Sequence, residues 1–441
     1  MHLFLVGAGH VGLITAVGLA KLGHRITVAD IDAPRIEGLR AGRSPIFEPG
    51  LEEAIAAAGD RLEFTTDVHP PAGAAFSFVA VGTPFGPDGP LALDHVEQVV
   101  GALLDATGPD HAIVVRSTLP MSGPADLIAL RAARRGEAAI VTNPEFMREG
   151  SALRDFEKPG RIVAGWLEER DRRAAERVLQ LYVGIDAPTL VADARSVALI
   201  KLASNGFLAM KIAYANELAR LSDAFGATAS VVADGLGLDE RIGRSFLDAG
   251  PGFGGSCLPE QAVALAAIAD GADVPAPVIQ AVAVANGVHQ RAIVARLASL
   301  LQPGGLYGRR IGLFGLAFKA NTDDVRQSPA LALATELRAA GASVIGTDPR
   351  AAAEARSADS LLEVAGSPVA AAVDSDAILV TTEWPEYGKL DWGPIAAAMR
   401  GDLVYDTRSV VDRRAAAAAG LRVVGLGFGA ELRGARGEAR I

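Results

Sequence analysis

The sequence predicts an α/β protein in which two doubly wound parallel sheets are joined by a helical middle with one long central helix. Short apolar runs alternate with helical patterns in residues 1–195 and again in residues 302–441. This alternation is typical of parallel sheets with helices on both faces. Residues 196–301 have mainly helical periodicity. We therefore predict three domains with these boundaries.

The composition narrows the class of protein. Half of the 441 residues are hydrophobic and 21% are charged, as in globular proteins with large cores. The net charge is −10 and no dense Lys/Arg run occurs, so we expect no nucleic-acid partner. The single cysteine excludes a multi-cysteine site, so we expect no bound metal, and it fits a reducing, cytoplasmic location. Because no uninterrupted apolar run of 18 residues occurs, we expect no membrane span.

The first domain is predicted from a strand, a glycine turn, a helix and a second strand in that order. "HLFLV" precedes "GAGHVG", a helical pattern follows, and "RITVAD" is the second strand. "AAFSFVAVGTP", "HAIVVRSTLP" and "AAIVTNPEF" contain three further strands. Such folds bind ligands at the carboxyl ends of their strands. The polar residues predicted at this edge are Thr83, Ser117, Thr118, Asn143 and Glu145.

The glycine turn predicts a Rossmann-like dinucleotide site. The predicted cofactor-binding turn consists of Gly7, Gly9, His10, Val11 and Gly12, in a G-x-G-x-x-G pattern. Glycines permit the turn and the approach of a pyrophosphate to the helix N-terminus. Asp30 ends the second strand 18 residues after Gly12. Its carboxylate would accept the ribose hydroxyls and repel a 2′-phosphate, which favours NAD, although Arg35 nearby weakens the preference over NADP.

The middle and last domains are predicted from longer patterns. "SVALIKLASNGFLAMKIAYANELARLSDAFG" is helical without an internal proline, and "QAVALAAIADG" and "PVIQAVAVANGVHQRAIVARLASLL" are also helical. Beyond Pro303, "RRIGLFGLAF", "ASVIGTDP", "DAILVTTEW" and "DLVYDTRSV" are predicted strands, and "SPALALATELRAAG" is a helix. The second α/β domain shows no evident sequence repeat of the first.

Cys257, the only cysteine, lies in "GPGFGGSCLP", which is predicted as a loop because of its glycines and prolines. Two interpretations stand. Cysteine often serves as a small buried hydrophobic residue. A thiolate in a glycine-rich loop is also suited to attack a carbonyl carbon.

Two pairs of polar residues are spaced four apart. Lys201 and Asn205 share one face of the central helix, either as a solvated polar stripe or as a cation and an amide donor for a developing oxyanion. Glu145 and Glu149 follow a strand, and they either hold water or a sugar hydroxyl or simply begin a helix with favourable charge.

Three cations follow strands in the last domain. Lys319 and Arg326 lie between a strand and a helix, and Arg408 follows the strand "LVYD". Cations at the carboxyl ends of strands suit phosphate binding. Surface charges without a ligand are the alternative for Arg326 and Arg408.

These segments together give the chain a resemblance to a known family. It resembles, nearly end to end, the UDP-glucose 6-dehydrogenase family within the wider UDP-glucose/GDP-mannose dehydrogenases. The motifs that carry the resemblance are "GAGHVG", "VGTP", "RSTLP", "NPEFMREGSA", "KLASNGFLAMKIAYANELA", "DERIGRSFLDAGPGFGGSCLP", "GLAFKANTDDVRQSPA" and "YDTRSVVD". Ser256 stands where the N-acetylmannosaminuronate-forming branch tends to have histidine.

The resemblance implies a four-electron oxidation of a nucleotide sugar, UDP-glucose to UDP-glucuronate, with NAD as the cofactor. Cys257 would form a thiohemiacetal and then a thioester. Lys201 and Asn205 would stabilise oxyanions, and Thr118 and Glu145 would position water or assist proton transfer. Gln261 stands at the position of a further catalytic residue, an aspartate in the family.

The resemblance also implies binding residues and an oligomer. Positions matching those that hold NAD are Gly7, Gly9, Gly12, Asp30, Arg35, Thr83, Thr118, Glu149 and Arg326. Those matching the nucleotide-sugar pocket are Glu145, Phe146, Met147, Arg148, Lys201, Asn205, Phe246, Leu247, Phe253, Gly254, Lys319 and Arg408. Arg241 matches an arginine that reaches the substrate of a neighbouring subunit. A homodimer or higher homo-oligomer built on the central helix is therefore expected.

The chain departs from the family pattern just after the cysteine. The family usually has Lys-Asp where this chain has Glu260 and Gln261. Glutamine is neutral and cannot act as a base, and the loss of one general base typically costs about 10²–10⁴-fold in rate. Three hypotheses follow: an active enzyme in which Glu145 or Glu260 supplies the base, an enzyme of altered substrate scope or slow release, and a nucleotide-sugar-binding homologue with little turnover.

Overall fold

The computed structural model describes residues 1–84 and 91–429. The chain divides into two compact units, Met1–Ser204 and Asn205–Ile441. The division falls within one 32-residue helix, Ala194–Phe225. The predicted boundaries of three domains, at residues 195 and 301, stay a prediction.

The first unit is built on an eight-stranded sheet with the order β3-β2-β1-β4-β5-β6-β7-β8. Its strands are β1 His2–Val6, β2 Arg25–Ala29, β3 Leu62–Thr65, β4 Phe76–Val79, β5 Ala112–Val115, β6 Ala139–Thr142, β7 Ile162–Trp166 and β8 Thr189–Asp193. The predicted parallel pairing is confirmed for six of the seven neighbouring pairs, since only β6 and β7 run antiparallel. Strands β3, β7 and β8 were not predicted from the sequence.

Helices cover both faces of this sheet. They are α1 His10–Lys21, α2 Ala33–Arg40, α3 Leu51–Ala58, α4 Asp94–Ala106, α5 Gly123–Arg134, α6 Ala152–Glu157 and α7 Arg172–Gln180, followed by the start of α8 Ala194–Phe225. Successive side chains of a strand point to opposite faces. Accordingly, Leu3 and Leu5 of β1 belong to one buried cluster, whereas Phe4 and Val6 belong to another.

The second unit has a six-stranded, wholly parallel sheet with the order β11-β10-β9-β12-β13-β14. Its strands are β9 Arg310–Phe314, β10 Ser343–Thr347, β11 Glu363–Val364, β12 Ala377–Val380, β13 Leu403–Asp406 and β14 Arg422–Gly425. Its helices, after α8, are α9 Ala229–Gly237, α10 Cys257–Gly271, α11 Pro277–Leu300, α12 Pro329–Ala339, α13 Ala352–Ala358, α14 Pro368–Ala372, α15 Trp392–Ala398 and α16 Arg413–Ala418. The predicted fold class, with its helical middle, is confirmed.

Helix α8 is long and apolar, with a mean hydropathy of 1.3 over its most apolar 18-residue window. By length and composition alone, such a helix could cross a membrane. The core helices of soluble proteins meet the same criterion. Lys201, Asn205 and Asn216 are buried polar residues along it, and a charge in a bilayer is costly. The expected absence of a membrane span stays a prediction.

Candidate active site

The glycine turn of the first unit is shaped by close backbone contacts. A Cβ atom on Gly12 would lie 1.8 Å from the carbonyl oxygen of Gly7, so only glycine fits there. Gly9 precedes α1 directly, and a Cβ on it would meet no atom within 4 Å. The turn therefore leaves open space at the N-terminus of α1, which suits the approach of a pyrophosphate.

Asp30 is buried directly after β2 and fixes the glycine turn. Its Oδ2 accepts hydrogen bonds from the backbone N–H of Ala8 at 2.8 Å and from Nη1 of Arg35 at 3.1 Å. The carboxylate is thus held at the edge of the sheet where a ribose would lie. Arg35 therefore pairs with the Asp30 carboxylate and helps to hold it in place. This geometry fits NAD, as the spacing of the motif predicts.

His10, in the glycine turn, contacts Glu48, a residue that was not predicted from the sequence. Its Nε2 lies 3.0 Å from Oε2 of the buried Glu48. Glu48 also accepts hydrogen bonds from the backbone N–H groups of Gly150 and Ala152, at 2.6 and 2.7 Å. Glu48 therefore links the glycine turn to the segment that contains Glu149. No periodic pattern surrounds Glu48 in the sequence, so only the three-dimensional contact reveals its role.

Lys201 and Glu145 form a buried ion pair within the first unit. The Lys201 Nζ donates to Oε1 of Glu145 at 2.8 Å and to its backbone oxygen at 2.6 Å. Burial by itself raises the pKa of Glu145, but the charge and hydrogen bond of Lys201, with the Met147 N–H, outweigh it and hold the pKa below its ordinary value. Glu145 is therefore ionised near neutral pH. Lys201 is not part of a solvated stripe.

Aromatic and ionic contacts surround this pair. The ring of Phe146 lies 5.3 Å from Lys201 Nζ and 3.8 Å from the guanidinium carbon of Arg161. Such cation–π contacts stabilise partly desolvated cations. Arg148 instead forms a two-point ion pair with Asp155, at 2.9 and 2.7 Å. Arg161 was not identified from the sequence, because a single arginine before a strand carries no pattern.

In the second unit, Cys257 is the first residue of α10 and is exposed. The prediction that it lies in a loop is wrong, because the loop ends at Ser256. The interpretation of Cys257 as a buried packing residue is also wrong. A helix N-terminus favours negative charge, and residues four apart share a helix face. Cys257 and Gln261 therefore share one face of α10.

Gln261 is buried and bonded to Asn205. The Nδ2 of Asn205 donates to Oε1 of Gln261 at 2.8 Å. Asn205, also buried, is thus held by a neutral amide. Glu260, beside Gln261, is half-buried: burial raises the pKa of its carboxyl, Arg326 opposes this and Asp324 adds to it. The raised pKa makes the Glu260 carboxylate a stronger proton acceptor than that of an ordinary glutamate.

The loop before Cys257 packs directly against another segment of this unit. A Cβ on Gly254 would lie 2.6 Å from Cδ of Pro329 and 2.7 Å from the backbone oxygen of Gln327, so glycine is required. The Gly255 N–H donates to the backbone oxygen of Arg326 at 3.0 Å. The structure thus joins the glycine loop and the segment between β9 and α12.

The predicted cations of the second unit occupy different environments. Arg408 donates to the backbone oxygens of Thr381 and Phe318, at 3.0 and 3.2 Å. Lys319 Nζ lies 5.5 Å from the ring centre of Phe318. Arg326 is bonded to Asp324. Arg241 is 89% exposed and ion-paired with Asp239, so it lies on the surface of this chain.

The remaining predicted residues are placed as follows. Val11, Thr83, Thr118, Met147, Glu149 and Phe246 are partly exposed, whereas Leu247 and Phe253 are buried. Residues 85–90, which follow Thr83 and Pro84, lie outside the described part of the chain. In residues 1–84 and 91–429, no three His, Cys, Asp or Glu side chains are grouped to hold a metal ion.

Comparison with known proteins decides the family. Sequence models of the UDP-glucose/GDP-mannose dehydrogenase family match three parts of the chain: the NAD binding domain at residues 1–185, the central domain at 195–287 and the UDP binding domain at 312–413. The chain belongs to this family. This dehydrogenase therefore uses NAD, and the resemblance drawn from its motifs is confirmed.

Similar proteins cover nearly its full length. The UDP-glucose 6-dehydrogenase of Rhizobium meliloti is 38% identical, with 97% of this chain and 99% of that protein covered. The UDP-glucose 6-dehydrogenase YwqF of Bacillus subtilis is 36% identical, with 97% and 98% covered. A UDP-glucose dehydrogenase structure from Pyrobaculum islandicum is 40% identical with a TM-score of 0.86, covering 94% of this chain and 95% of that one. The chain is an NAD-dependent dehydrogenase of nucleotide sugars.

A polar network supports Glu145 in this dehydrogenase and was also missed. Arg116 Nη1 donates to Oδ1 of Asn143 at 2.8 Å, and Asn143 Nδ2 donates to the backbone oxygen of Val163 at 2.7 Å. The Tyr182 hydroxyl donates to the same Oδ1 at 2.6 Å. The network orders the end of β6 just before Glu145. Asn143 itself was predicted at this edge, but its partners lie too far along the chain to be inferred from spacing.

Proposed function

We propose that this enzyme oxidises UDP-glucose to UDP-glucuronate through covalent intermediates on Cys257. The proposal rests mainly on one observation: Cys257 is exposed at the start of α10, one turn before Gln261, whose amide is bonded to Asn205. Names of similar proteins support UDP-glucose as the substrate. The glycine turn and Asp30 would hold NAD⁺, which would supply the hydride acceptor for each of the two oxidations.

The first oxidation converts the primary alcohol at sugar C6 into an aldehyde. The hydroxyl would lose its proton to water, and C6 would lose a hydride to the NAD⁺ held beside it. We assign the stabilisation of the developing alkoxide to Lys201 and Asn205, a cation and an amide donor. Because Glu145 is ionised and already bonded to Lys201, it would hold water or the substrate hydroxyl. Thr118 would assist in positioning that water.

The second oxidation requires a tetrahedral carbon. The Cys257 thiolate adds to the aldehyde carbon, and the oxygen gains a proton, which gives a thiohemiacetal. Loss of a proton from this oxygen and a hydride from the carbon leaves a thioester. Water then attacks the thioester carbon, the bond to sulfur breaks, and the carboxylate and the thiolate are released with two protons.

Hydrolysis needs a proton acceptor for the attacking water. Gln261 cannot fill this role, since an amide does not take a proton near neutral pH. The lowered pKa of Glu145 makes it a weak acceptor, whereas the raised pKa of Glu260 makes it a stronger one. We therefore assign the base function to Glu260 or Glu145, with Gln261 orienting Asn205.

We assign the other predicted residues to binding. NAD would be held by Gly7, Gly9, His10, Val11, Gly12, Asp30, Arg35, Thr83, Thr118, Glu149 and Arg326. The nucleotide sugar would be held by Phe146, Met147, Arg148, Phe246, Leu247, Phe253, Gly254, Lys319 and Arg408, besides Glu145, Lys201 and Asn205. We also propose that the enzyme acts in the cytoplasm.

A dimer is the proposed assembly. Phe207, Tyr214, Leu221 and Phe225 are exposed large apolar residues on α8, and their spacing of seven, seven and four places them along one side of the helix. Burial of such a stripe against a second copy would remove it from water. Arg241, exposed on the surface of this chain, would then reach the substrate of the neighbouring subunit.

A second candidate follows from Gln261. A neutral residue at this position fits either another nucleotide sugar, such as TDP-glucose, CDP-glucose or GDP-mannose, or slow release at the aldehyde or thioester stage. A nucleotide-sugar-binding homologue with little turnover is a third candidate. The presence of Cys257, Lys201, Asn205 and Glu145 together argues against that third possibility.

One experiment separates the candidates. The purified protein is incubated with NAD⁺ and each of UDP-glucose, TDP-glucose, CDP-glucose and GDP-mannose, and the products are identified by mass spectrometry. The proposal predicts a uronate from UDP-glucose at the highest kcat/KM. A higher kcat/KM with another sugar nucleotide supports the second candidate. An aldehyde or an enzyme-bound thioester as the main product supports slow release.

A further inference from the structure

We propose that Asn216, Asn286 and His289 are positioning residues that hold the 250–256 loop, the segment immediately before Cys257, in its working conformation. None of the three touches a group that reacts in the proposed mechanism. The inference rests on the proposed function, because it assigns their effect to nucleotide-sugar binding and to the placement of Cys257.

Both backbone groups of Phe253 are bonded to one side chain. The N–H of Phe253 donates to Oδ1 of Asn286 at 3.0 Å, and Nδ2 of Asn286 donates to the backbone oxygen of Phe253 at 2.7 Å. A Cβ on Gly252 would lie 2.4 Å from the same Oδ1. The loop backbone is thus packed directly on the Asn286 amide, whose oxygen accepts and whose nitrogen donates.

Gly250 is held in the same way by two helices. Its N–H donates to Oδ1 of Asn216, on α8, at 2.9 Å. Its backbone oxygen lies 2.7 Å from Nε2 of His289, on α11. A Cβ on Gly250 would lie 2.8 Å from Nη1 of Arg408. Gly250 therefore lies close to the Arg408 guanidinium, and a side chain at this position would press against it.

The tautomer of His289 follows from its second partner. Nη1 of Arg220 lies 2.6 Å from Nδ1 of His289. A guanidinium only donates hydrogen bonds, so Nδ1 accepts and the proton of the neutral ring lies on Nε2. That proton is donated to the Gly250 carbonyl. The site therefore requires a neutral side chain with a donor facing the Gly250 carbonyl and an acceptor facing Arg220.

These contacts also position the loop residues that we assign to nucleotide-sugar binding. Asn286 and His289 lie one turn apart on α11, both are buried or half-buried, and both bond to the backbone of the loop. Phe253, Gly254 and Arg408 are the loop and sheet-edge residues assigned above to the nucleotide sugar. The three polar side chains thus hold the backbone of the loop at Gly250 and Phe253, and Gly250 also lies close to Arg408.

Four variants test the inference. Asn286→Asp keeps the shape but cannot donate to the Phe253 oxygen. His289→Leu removes both hydrogen bonds of the ring, and His289→Gln restores a neutral donor and acceptor. Gln280→Ala is the matched control, since Gln280 is exposed on the same helix and its side chain bonds to Asp270 instead.

Three measurements are made on each folded variant, with the melting temperature recorded. They are hydrogen exchange of the peptide covering residues 250–256, the dissociation constant of UDP by calorimetry, and the rate at which iodoacetamide alkylates Cys257, the only cysteine. None of the three needs turnover, and the first and third need no ligand either, so they stand even if the proposed reaction is wrong.

The expected result for Asn286→Asp and His289→Leu is faster exchange and weaker UDP binding, each by about five- to tenfold, as for the loss of one hydrogen bond. The alkylation rate of Cys257 should change several-fold in both. His289→Gln and Gln280→Ala should stay within about twofold of the wild type. The inference is overturned if the first two variants match the control, or if His289→Gln is as impaired as His289→Leu. Absence of UDP binding in the wild type would instead contradict the proposed function.

Discussion

Asn205 donates a 2.8 Å hydrogen bond from its Nδ2 to Oε1 of Gln261, and both side chains are buried. This contact explains how a neutral residue is accommodated at a position that the family usually fills with aspartate. The Gln261 oxygen accepts from Asn205 as a carboxylate would, but it cannot take a proton. Orientation of Asn205 is therefore retained, whereas base function is not.

Replacement of Gln261 by aspartate should raise turnover. A carboxylate at this position would accept the Asn205 hydrogen bond and also serve as a base, which typically contributes about 10²–10⁴-fold. We expect an increase in kcat of about tenfold or more for Gln261→Asp, since the aspartate is shorter and less well placed. Gln261→Asn is the control, because asparagine has the size of aspartate but is neutral. An unchanged or lower kcat would mean that the site is adapted to glutamine.

Replacement of Cys257 by serine should abolish uronate formation. A serine hydroxyl without an activating base is a poor nucleophile, and no thioester can form. We expect product formation to fall by at least about 10³-fold, measured as uronate by mass spectrometry. Ser256→Ala is the neighbouring control, because the Ser256 oxygen lies 3.7 Å from the Cys257 sulfur. Uronate formation at a near wild-type rate by Cys257→Ser would rule out the covalent route.

The buried Lys201–Glu145 pair predicts a stability cost. Lys201→Met leaves a buried carboxylate without its cation, which typically costs about 3–5 kcal/mol. The pKa of Glu145 should then rise, because Lys201 no longer opposes the effect of burial, although the Met147 N–H and Arg116 still do. Urea unfolding of the single variants and of Lys201→Met/Glu145→Gln measures the coupling. The double variant should be more stable than Lys201→Met alone, and simple additivity would contradict the pairing.

His289 predicts a pH dependence of stability. Burial, with repulsion from Arg220, lowers its pKa from 6.5 to about 4, although the Gly250 carbonyl favours the charged form. The unfolded chain therefore binds a proton at a higher pH than the folded chain does. The stability that the folded state gains from keeping His289 neutral is complete above pH 6.5 and is lost as the pH falls to about 4.

The size of this effect can be isolated by comparison with a variant. Between pH 7 and pH 5, wild-type stability should fall by about 2 kcal/mol more than that of His289→Gln. The groups that face His289 are Arg220 and Asp223 on α8, Arg296 on α11 and Tyr405 on β13, and they are the same in both proteins. Equal losses of stability in the two proteins on acidification would show that His289 does not titrate as described.

Much of the fold could be predicted because its strands are buried on both faces. Every residue of β4 and β5 is buried, and such apolar runs are visible in the sequence. Strand β8 was missed because its residues are partly or fully exposed. The start of α10 was missed because Pro259 suggested a loop, but proline is tolerated in the first turn of a helix, where its missing N–H has no partner to lose.

The candidate site could be predicted only in part. The glycine turn, Asp30 and Cys257 are visible as local patterns or as a unique residue. The partners of Glu145 and Asn205 are 56 residues away along the chain in each case, and no local pattern encodes such contacts. For the same reason Glu48, Asn286 and His289 were not identified, since each acts through the backbone of a distant segment.

The stoichiometry of the reaction tests the central claim most directly. Limiting UDP-glucose is incubated with excess NAD⁺ and the enzyme until absorbance at the NADH wavelength stops rising, and the NADH formed is divided by the UDP-glucose consumed. The proposed mechanism predicts two NADH for each UDP-glucose, with UDP-glucuronate as the product. A ratio of one with an aldehyde product, or binding of both ligands without any NADH, would contradict it.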